Sequence, residues 1–283
     1  MRLVGDKTLI ASDILFRHNK MKNISHKINV RQFLSDIDDN ASDNESDNSS
    51  EDIDSSEHSE DKPIKKNKNS LPSTTLEVMY PSSNDGTRSV VIGPSGSGKT
   101  VCIRNIVLQL TNTHTITSIY WIGANHEYES WIKKDFRFTD MNYKLVDGLI
   151  EYQKSKLSKN GHIIIVLDDV ADIEFHTGKK KKWWSSLLSN SRKWRIHLVF
   201  GLQYVKFISP SMRENITNWI VLKANNTSKN ALSELSSCTN KWDFMKHFDK
   251  FNVGQAIVFD TNPRAESELH ILKIENISAK DME

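Results

Sequence analysis

Lys99 and Thr100 are the residues best placed by type and spacing for phosphate chemistry. They close the run Val90–Thr100, which reads V-V-I-G-P-S-G-S-G-K-T. The pattern G-x-x-x-x-G-K-T lies between a β-branched apolar run and an apolar-periodic one, which predicts strand, loop and helix. Gly93, Gly96 and Gly98, with Pro94, Ser95 and Ser97 between them, can turn the backbone so that its N–H groups face an anion. The positive end of the following helix adds to that site. Lys99 supplies charge for β- and γ-phosphates, and the Thr100 hydroxyl suits Mg2+. A plain Gly/Ser surface turn is the alternative, and the flanking strand and helix argue against it.

A second constellation sits at the end of His162–Leu167, H-I-I-I-V-L, followed by Asp168 and Asp169. A run that apolar predicts a central parallel strand buried on both faces, with the carboxylates at its C-terminal edge. Open α/β sheets bind ligands at that edge. Asp168 can hold Mg2+ opposite Thr100, usually through water, and Asp169 is placed to orient or deprotonate an attacking water. The alternative is an acidic pair that merely turns the chain to solvent. Gln203 ends the next apolar run, Ile196–Gly201. It is a candidate to sense a γ-phosphate, or else an ordinary loop residue. Arg192, and after it Arg213, are candidates to reach a neighbouring subunit's site as an arginine finger, or else surface arginines. Lys179, Lys180, Lys181 and Lys182 with Trp183 and Trp184 form a basic, aromatic stretch after the twin aspartates. It is read as a loop that could track a phosphate backbone and stack on bases. The alternative is a solvated turn whose tryptophans begin the next helix's core.

The elements that must position these groups follow from periodicity and turn signals. The first core strand is expected over Arg88–Ile92, after the S-S-N-D-G turn at 82–86, and the phosphate helix over Gly98–Leu110. Ile116–Ile122 reads as a second buried strand. Residues 132–159 suggest a short strand or turn near Tyr143–Val146 and a helix from Asp147. A loop–helix unit is expected around Lys179–Ser191, a short helix over Ile208–Arg213 and a strand over Trp219–Leu222. Lys229–Ser237 and Lys241–Phe251 look helical, and Gln255–Phe259 pairs with Leu269–Ile274 as terminal strands. If the strand at Ile116–Ile122 inserts between the phosphate strand and the Asp168 strand, the sheet is of the additional-strand type rather than the kinase–GTPase type.

Composition sets the frame. The 283 residues suffice for one large α/β domain with flanking pieces, and the net charge is +2. Asp36–Asp61 holds twelve carboxylates and no Lys or Arg, whereas residues 69–283 carry 27 Lys and Arg against 22 Asp and Glu, a net +5. The expected organisation is a segment of uncertain structure at 1–34, a disordered acidic, Ser-rich linker at 35–70, and a catalytic domain at 71–283. A mildly basic domain is compatible with a nucleic-acid partner. Two cysteines, Cys102 and Cys238, are too few for a disulfide framework and suggest a reducing compartment. No apolar run approaches the ~20 residues of a membrane span, and no signal peptide is evident. A soluble intracellular protein is expected.

Together, V-V-I-G-P-S-G-S-G-K-T, I-I-I-V-L-D-D-V, S-R-K-W-R-I-H-L-V-F-G-L-Q and I-S-P-S-M-R-E-N resemble the FtsK/HerA superfamily. Within it they are similar to the poxvirus-like genome-packaging ATPases of large DNA viruses, over about residues 75–260. The strand-end glutamine and P-S-M-R-x-N narrow the resemblance. It implies an α/β P-loop NTPase of the additional-strand, RecA/FtsK-like type, with a central, mostly parallel sheet flanked by helices. It also implies ATP and Mg2+ as cofactors and a homo-oligomeric ring, hexameric or pentameric, moving double-stranded DNA. ATP sites would lie between subunits, with capsid or portal proteins as possible partners and the host cytoplasm or virion as location. Lys99 and Thr100 would bind phosphate and Mg2+, Asp168 the metal, and Gln203 would be the sensor. Arg192 matches the family's arginine only loosely. Asp169 stands where many members have Glu. Two competing readings are a nucleotide-switch GTPase, for which Asn240–Asp243 spells N-K-x-D, and a P-loop phosphotransferase not acting on DNA. The D-D-V-A run lacks the glycine of a GTPase switch, and the arginine-rich lid of a phosphotransferase is missing. A non-catalytic DNA tether is opposed by intact Lys99, Thr100 and Asp168.

Overall fold

The computed structural model describes residues 71–156, 161–169, 178–223, 226–235, 246–248, 254–260 and 269–282. The expectations for 1–34 and 35–70, most of Lys241–Phe251 and the N-K-W-D run lie outside the described residues.

Among the described residues, nine strands form one sheet: β1 (Ser73–Thr74), β2 (Arg88–Ile92), β3 (Ile116–Gly123), β4 (Arg137–Phe138), β5 (His162–Asp168), β6 (Ile196–Leu202), β7 (Asn218–Val221), β8 (Gln255–Asp260) and β9 (His270–Lys273). Their spatial order is β1-β9-β8-β7-β2-β6-β5-β3-β4. Only β8 runs against the others, pairing antiparallel with β7 and β9. Every residue of β2, β5 and β6 is buried, as strands covered on both faces require. The β-branched run His162–Leu167 is therefore an interior parallel strand buried on both faces, as expected, although β2 holds the middle place in the sheet.

The strand beside the phosphate strand β2, on the side of β5, is β6. The sheet is thus of the additional-strand type, but the inserted strand is not the one first expected there. Ile116–Gly123 lies on the far side of β5. Sequence order alone cannot reveal this, because each parallel crossover is free to step past a neighbour.

The helices are α1 (Leu76–Met79), α2 (Lys99–Thr113), α3 (Tyr143–Lys156), α4 (Gly178–Asn190), α5 (Pro210–Arg213) and α6 (Asn226–Leu235). Cys102, Ile103, Ile106, Val107 and Leu110 give α2 a buried stripe at helical spacing. It packs against β2, β5 and β6. The helix ends at His114, whose extended backbone leaves the spiral while its N–H still donates to the Leu110 carbonyl at 2.9 Å.

α3 corrects the expectation of a short strand or turn near Tyr143–Val146. Asn142 Oδ1 accepts the Leu145 N–H at 3.0 Å, an N-cap bond that starts the helix there. Leu145, Val146, Leu149 and Ile150 then face the core with helical period. Likewise, residues 179–184 are not a loop. They form the first turns of α4, and Trp184, Leu187 and Leu188 are its buried face. Among the described residues, no helix is long and apolar enough to cross a membrane.

Candidate functional site: a phosphate loop facing a buried carboxylate

β2 delivers the chain to the loop at 93–98. Two backbone bonds fix the exit, the Gly93 N–H donating to the Leu202 carbonyl at 3.0 Å and the Leu222 N–H to the Ile92 carbonyl at 2.9 Å. The loop thus hangs between the ends of β6 and β7. Gly98, with φ of 91°, is the N-cap of α2, and no side chain caps the helix. A residue with a Cβ adopts that left-handed backbone only at a cost of about 1–2 kcal/mol. The first N–H groups of α2 therefore have no capping side chain of their own, which suits them to an anion.

Lys99 is buried, with Nζ 3.3 Å from the Pro94 carbonyl and 3.5 Å from Asp169 Oδ1. Thr100 Oγ1 donates to Asp168 Oδ2 at 3.0 Å. The two motifs, 68 residues apart, meet through this bond. Asp168 closes β5, and its register neighbours on both sides are glycines, Gly123 on β3 and Gly201 on β6. A Cβ at Gly201 would collide with Asp168 Oδ1 and approach Ile103 Cδ1 to 3.0 Å. A Cβ at Gly123 would meet the Asp168 backbone carbonyl, so Gly201 makes room for the carboxyl group and Gly123 for the main chain that carries it. Asp168 is only 4% exposed, and its Oδ1 has no hydrogen-bond partner. Burial, reinforced by the negative charge of Asp169, pushes its carboxyl up to about 6.

This donor set fits Mg2+. A hard cation that takes oxygen ligands meets a hydroxyl and a carboxylate already hydrogen-bonded to each other, plus a buried carboxylate oxygen with no donor. Asp169 turns away from the strand with a left-handed backbone, φ 57°. Its N–H donates to the Gly201 carbonyl at 3.0 Å, which anchors it beside Lys99. Gln203 is half-buried and directly follows Leu202, whose carbonyl holds Gly93. The inserted strand β6 therefore brings Gln203 to the same edge as the loop and the aspartates.

Sequence reasoning missed Glu129, in the loop after β3. It is 1% exposed and takes a two-pronged bond from Arg104 on α2, at 2.6 and 2.9 Å. The Trp131 indole N–H also donates to it, at 2.6 Å. This pair ties α2 to the end of β3, next to Asp168. An isolated Glu in a polar loop carries no sequence signal for such a role.

Arg192 does not join the cluster within its own subunit. It precedes β6, at the sheet edge opposite the loop, where its Nε donates to Asp85 at 2.8 Å. Its side chain is 55% exposed. Arg213 is buried, with Nε donating to the Ile208 carbonyl at 2.8 Å. In α4, Lys180, Lys181 and Lys182 are exposed, and Lys180 Nζ lies 5.2 Å over the Tyr143 ring. Trp183 donates its indole N–H to Asp147 at 2.6 Å, and Trp184 is core. The two indoles are thus engaged within the fold. Lys179's side chain lies outside the described residues.

The strand order and the loop–carboxylate pairing define a P-loop NTPase of the additional-strand class. The sequence profile of the poxvirus A32 protein matches residues 82–256, more than half of the chain. The chain belongs to that family. It is 23% identical over 216 residues to uncharacterized protein 075L of Invertebrate iridescent virus 6, covering 70% of this chain and 81% of that one. Uncharacterized protein 015R of Frog virus 3 is 27% identical over 152 residues, covering 50% of this chain and 46% of that protein. Among solved structures, B204, the DNA-packaging ATPase of Sulfolobus turreted icosahedral virus, superposes with TM-score 0.51 at 17% identity. The match covers 70% of this chain and all of B204. At that identity the likeness is one of fold.

Proposed function

We propose that this chain is the ATP-hydrolysing subunit of a viral genome-packaging motor that moves double-stranded DNA. The observation that carries the reading is the Thr100–Asp168 bond beneath Lys99, with Gln203 delivered to the same edge by β6. A triphosphate lies on the N–H groups of the 93–100 loop, with Lys99 exchanging its long contacts to Pro94 and Asp169 for phosphate oxygens. Thr100 and Asp168 would hold Mg2+, which would supply positive charge to offset that of the phosphates. Asp169 orients water and Gln203 reads the γ-phosphate. Catalysis of this kind rests on positioning and charge rather than covalent chemistry.

The name of B204 as a DNA-packaging ATPase supports extending this to DNA. In this reading the protein works as a homo-oligomeric ring with sites between subunits. The arginine in trans is Arg192, which is exposed and held only by a surface pair that contributes little. The lysines of α4 are the candidate DNA contacts.

The test is ATP turnover with and without duplex DNA, alongside sizing of the assembly. DNA should stimulate turnover, and Lys99→Ala should abolish it. Replacing Lys180, Lys181 and Lys182 by Ala should weaken the stimulation and flatten its salt dependence. Robust hydrolysis by Lys99→Ala refutes the site, and turnover indifferent to DNA refutes the motor.

A further inference from the structure

Three histidines meet at the sheet edge opposite the phosphate loop. His114 follows the last residue of α2, His162 opens β5, and His197 is the second residue of β6. All three are more than nine-tenths buried. Their ring centroids form a near-equilateral triangle with sides of 4.6, 4.8 and 4.9 Å. One ring nitrogen from each lies within 4.8 Å of the other two. No other such group of His, Cys, Asp and Glu is found among the described residues.

The hydrogen bonds assign the protons. Thr113 Oγ1 gives its proton to the Gln109 carbonyl at 3.0 Å, so it accepts from His114 Nδ1 at 2.8 Å. His114 Nε2 is then a bare lone pair, buried and without any partner. His197 Nδ1 accepts the Thr87 N–H at 3.2 Å, so its Nε2–H donates to His162 Nδ1 at 2.9 Å. The proton between those two rings lies where a cation bridging them would sit.

We propose that His114, His162 and His197 form a binding site for a divalent transition cation, with Zn2+ the first to test. Three imidazole nitrogens and one open position, filled by water, are a known tetrahedral donor set for that ion. Zn–N bonds of about 2.0–2.1 Å place the ligating nitrogens about 3.4 Å apart. The His197–His162 pair, at 2.9 Å, opens by about 0.5 Å, and His114, whose nitrogen lies within 4.8 Å of the others, moves in by up to about 1.4 Å. Binding shifts the His197 proton from Nε2 to Nδ1, where Thr87 Oγ1, 3.0 Å away, accepts it, and the Thr87 N–H gives up its bond to that nitrogen. No proton is released. Thr113 holds His114 Nδ1 in the same manner, so two of the three ligands have the outer hydrogen bond that metal-bound imidazoles need. Burial also keeps all three rings neutral, the form that ligates.

The site is about 20 Å from Asp168, the length of β5. It cannot take part in hydrolysis. It would pin the far end of α2 to the two strands that carry Asp168 and Gln203.

The experiment strips the full-length protein with chelator and titrates it with Zn2+ in excess Mg2+, which occupies Thr100 and Asp168. One equivalent should bind and raise Tm. Co2+ in its place should give the intense visible absorption of a four-coordinate ion. His114→Gln should weaken binding by at least about 100-fold, and Thr87→Val, which keeps all three rings, by about 10–100-fold. Lack of stoichiometric uptake, a pale six-coordinate Co2+ spectrum, or affinity unchanged in His114→Gln overturns the proposal. If that variant does not fold, undiminished affinity in Thr87→Val does so.

Discussion

Asp168→Asn should make the metal-free protein more stable while destroying its Mg2+ chemistry. An ordinary aspartate loses its proton at 3.8, and burial beside Asp169 pushes Asp168 up to about 6. At neutral pH the fold therefore holds a carboxylate it disfavours. Each pH unit between folded and unfolded values corresponds to 1.36 kcal/mol, so the cost approaches about 3 kcal/mol. The sign follows from the raised folded value: the contribution favours the fold at low pH and is lost as pH rises from 3.8 through about 6. Asn has nearly the same shape and can still accept the Thr100 hydroxyl. Urea unfolding of both proteins without Mg2+ at pH 8 should show the variant ahead by up to about 3 kcal/mol. The gap should shrink as pH falls from 6 towards 4. Equal stability at pH 8, or a gap that widens in acid, would show that the carboxyl is not held in a dry, negative pocket.

Other outcomes follow from the same geometry. Mg2+-dependent nucleotide affinity should fall as pH drops through about 6, because a proton then competes at Asp168; a fluorescent nucleotide titration over pH 5–8 would reveal a flat profile if Asp168 were not the metal ligand. Gly201→Ala should cost about 1–3 kcal/mol by overpacking against Asp168 and Ile103. It should also lower turnover about 100-fold through a displacement of about 1 Å at the metal ligand; wild-type turnover in this variant would contradict the packing. Glu129→Ala should cost about 3–5 kcal/mol, since it removes the two-pronged partner of the part-buried Arg104 guanidinium and the acceptor of the Trp131 indole. Denaturant midpoints with Arg104→Met as companion would test this, and a loss under 1 kcal/mol would mean the pair is solvated.

The phosphate loop, the twin aspartates and Gln203 were legible because each sits where an apolar run stops, and burial demands such runs. Boundaries of β2, β5 and β6 agreed with the sequence to within a residue for the same reason. What sequence could not supply were relations across the sheet. Nothing in Ile196–Leu202 says that it, rather than Ile116–Gly123, lies beside β2. The Asn142 cap was readable as chemistry, but the mixed polarity around it obscured α3. Four lysines in a row masked the start of α4, whose core face begins only at Trp184. Glu129 and the three histidines are single residues in unrelated segments, and only the fold makes them neighbours.

The left-handed backbone at Asp169 has a consequence for side-chain length. Aspartate and asparagine tolerate that conformation because a short polar side chain can bond locally, whereas most other residues incur about 1–2 kcal/mol there. Glutamate at this place would add one methylene of reach at the expense of that tolerance. Here the bend itself swings the carboxylate out over Lys99. In the proposed mechanism, curvature of the main chain would supply the reach that a longer acid would otherwise provide.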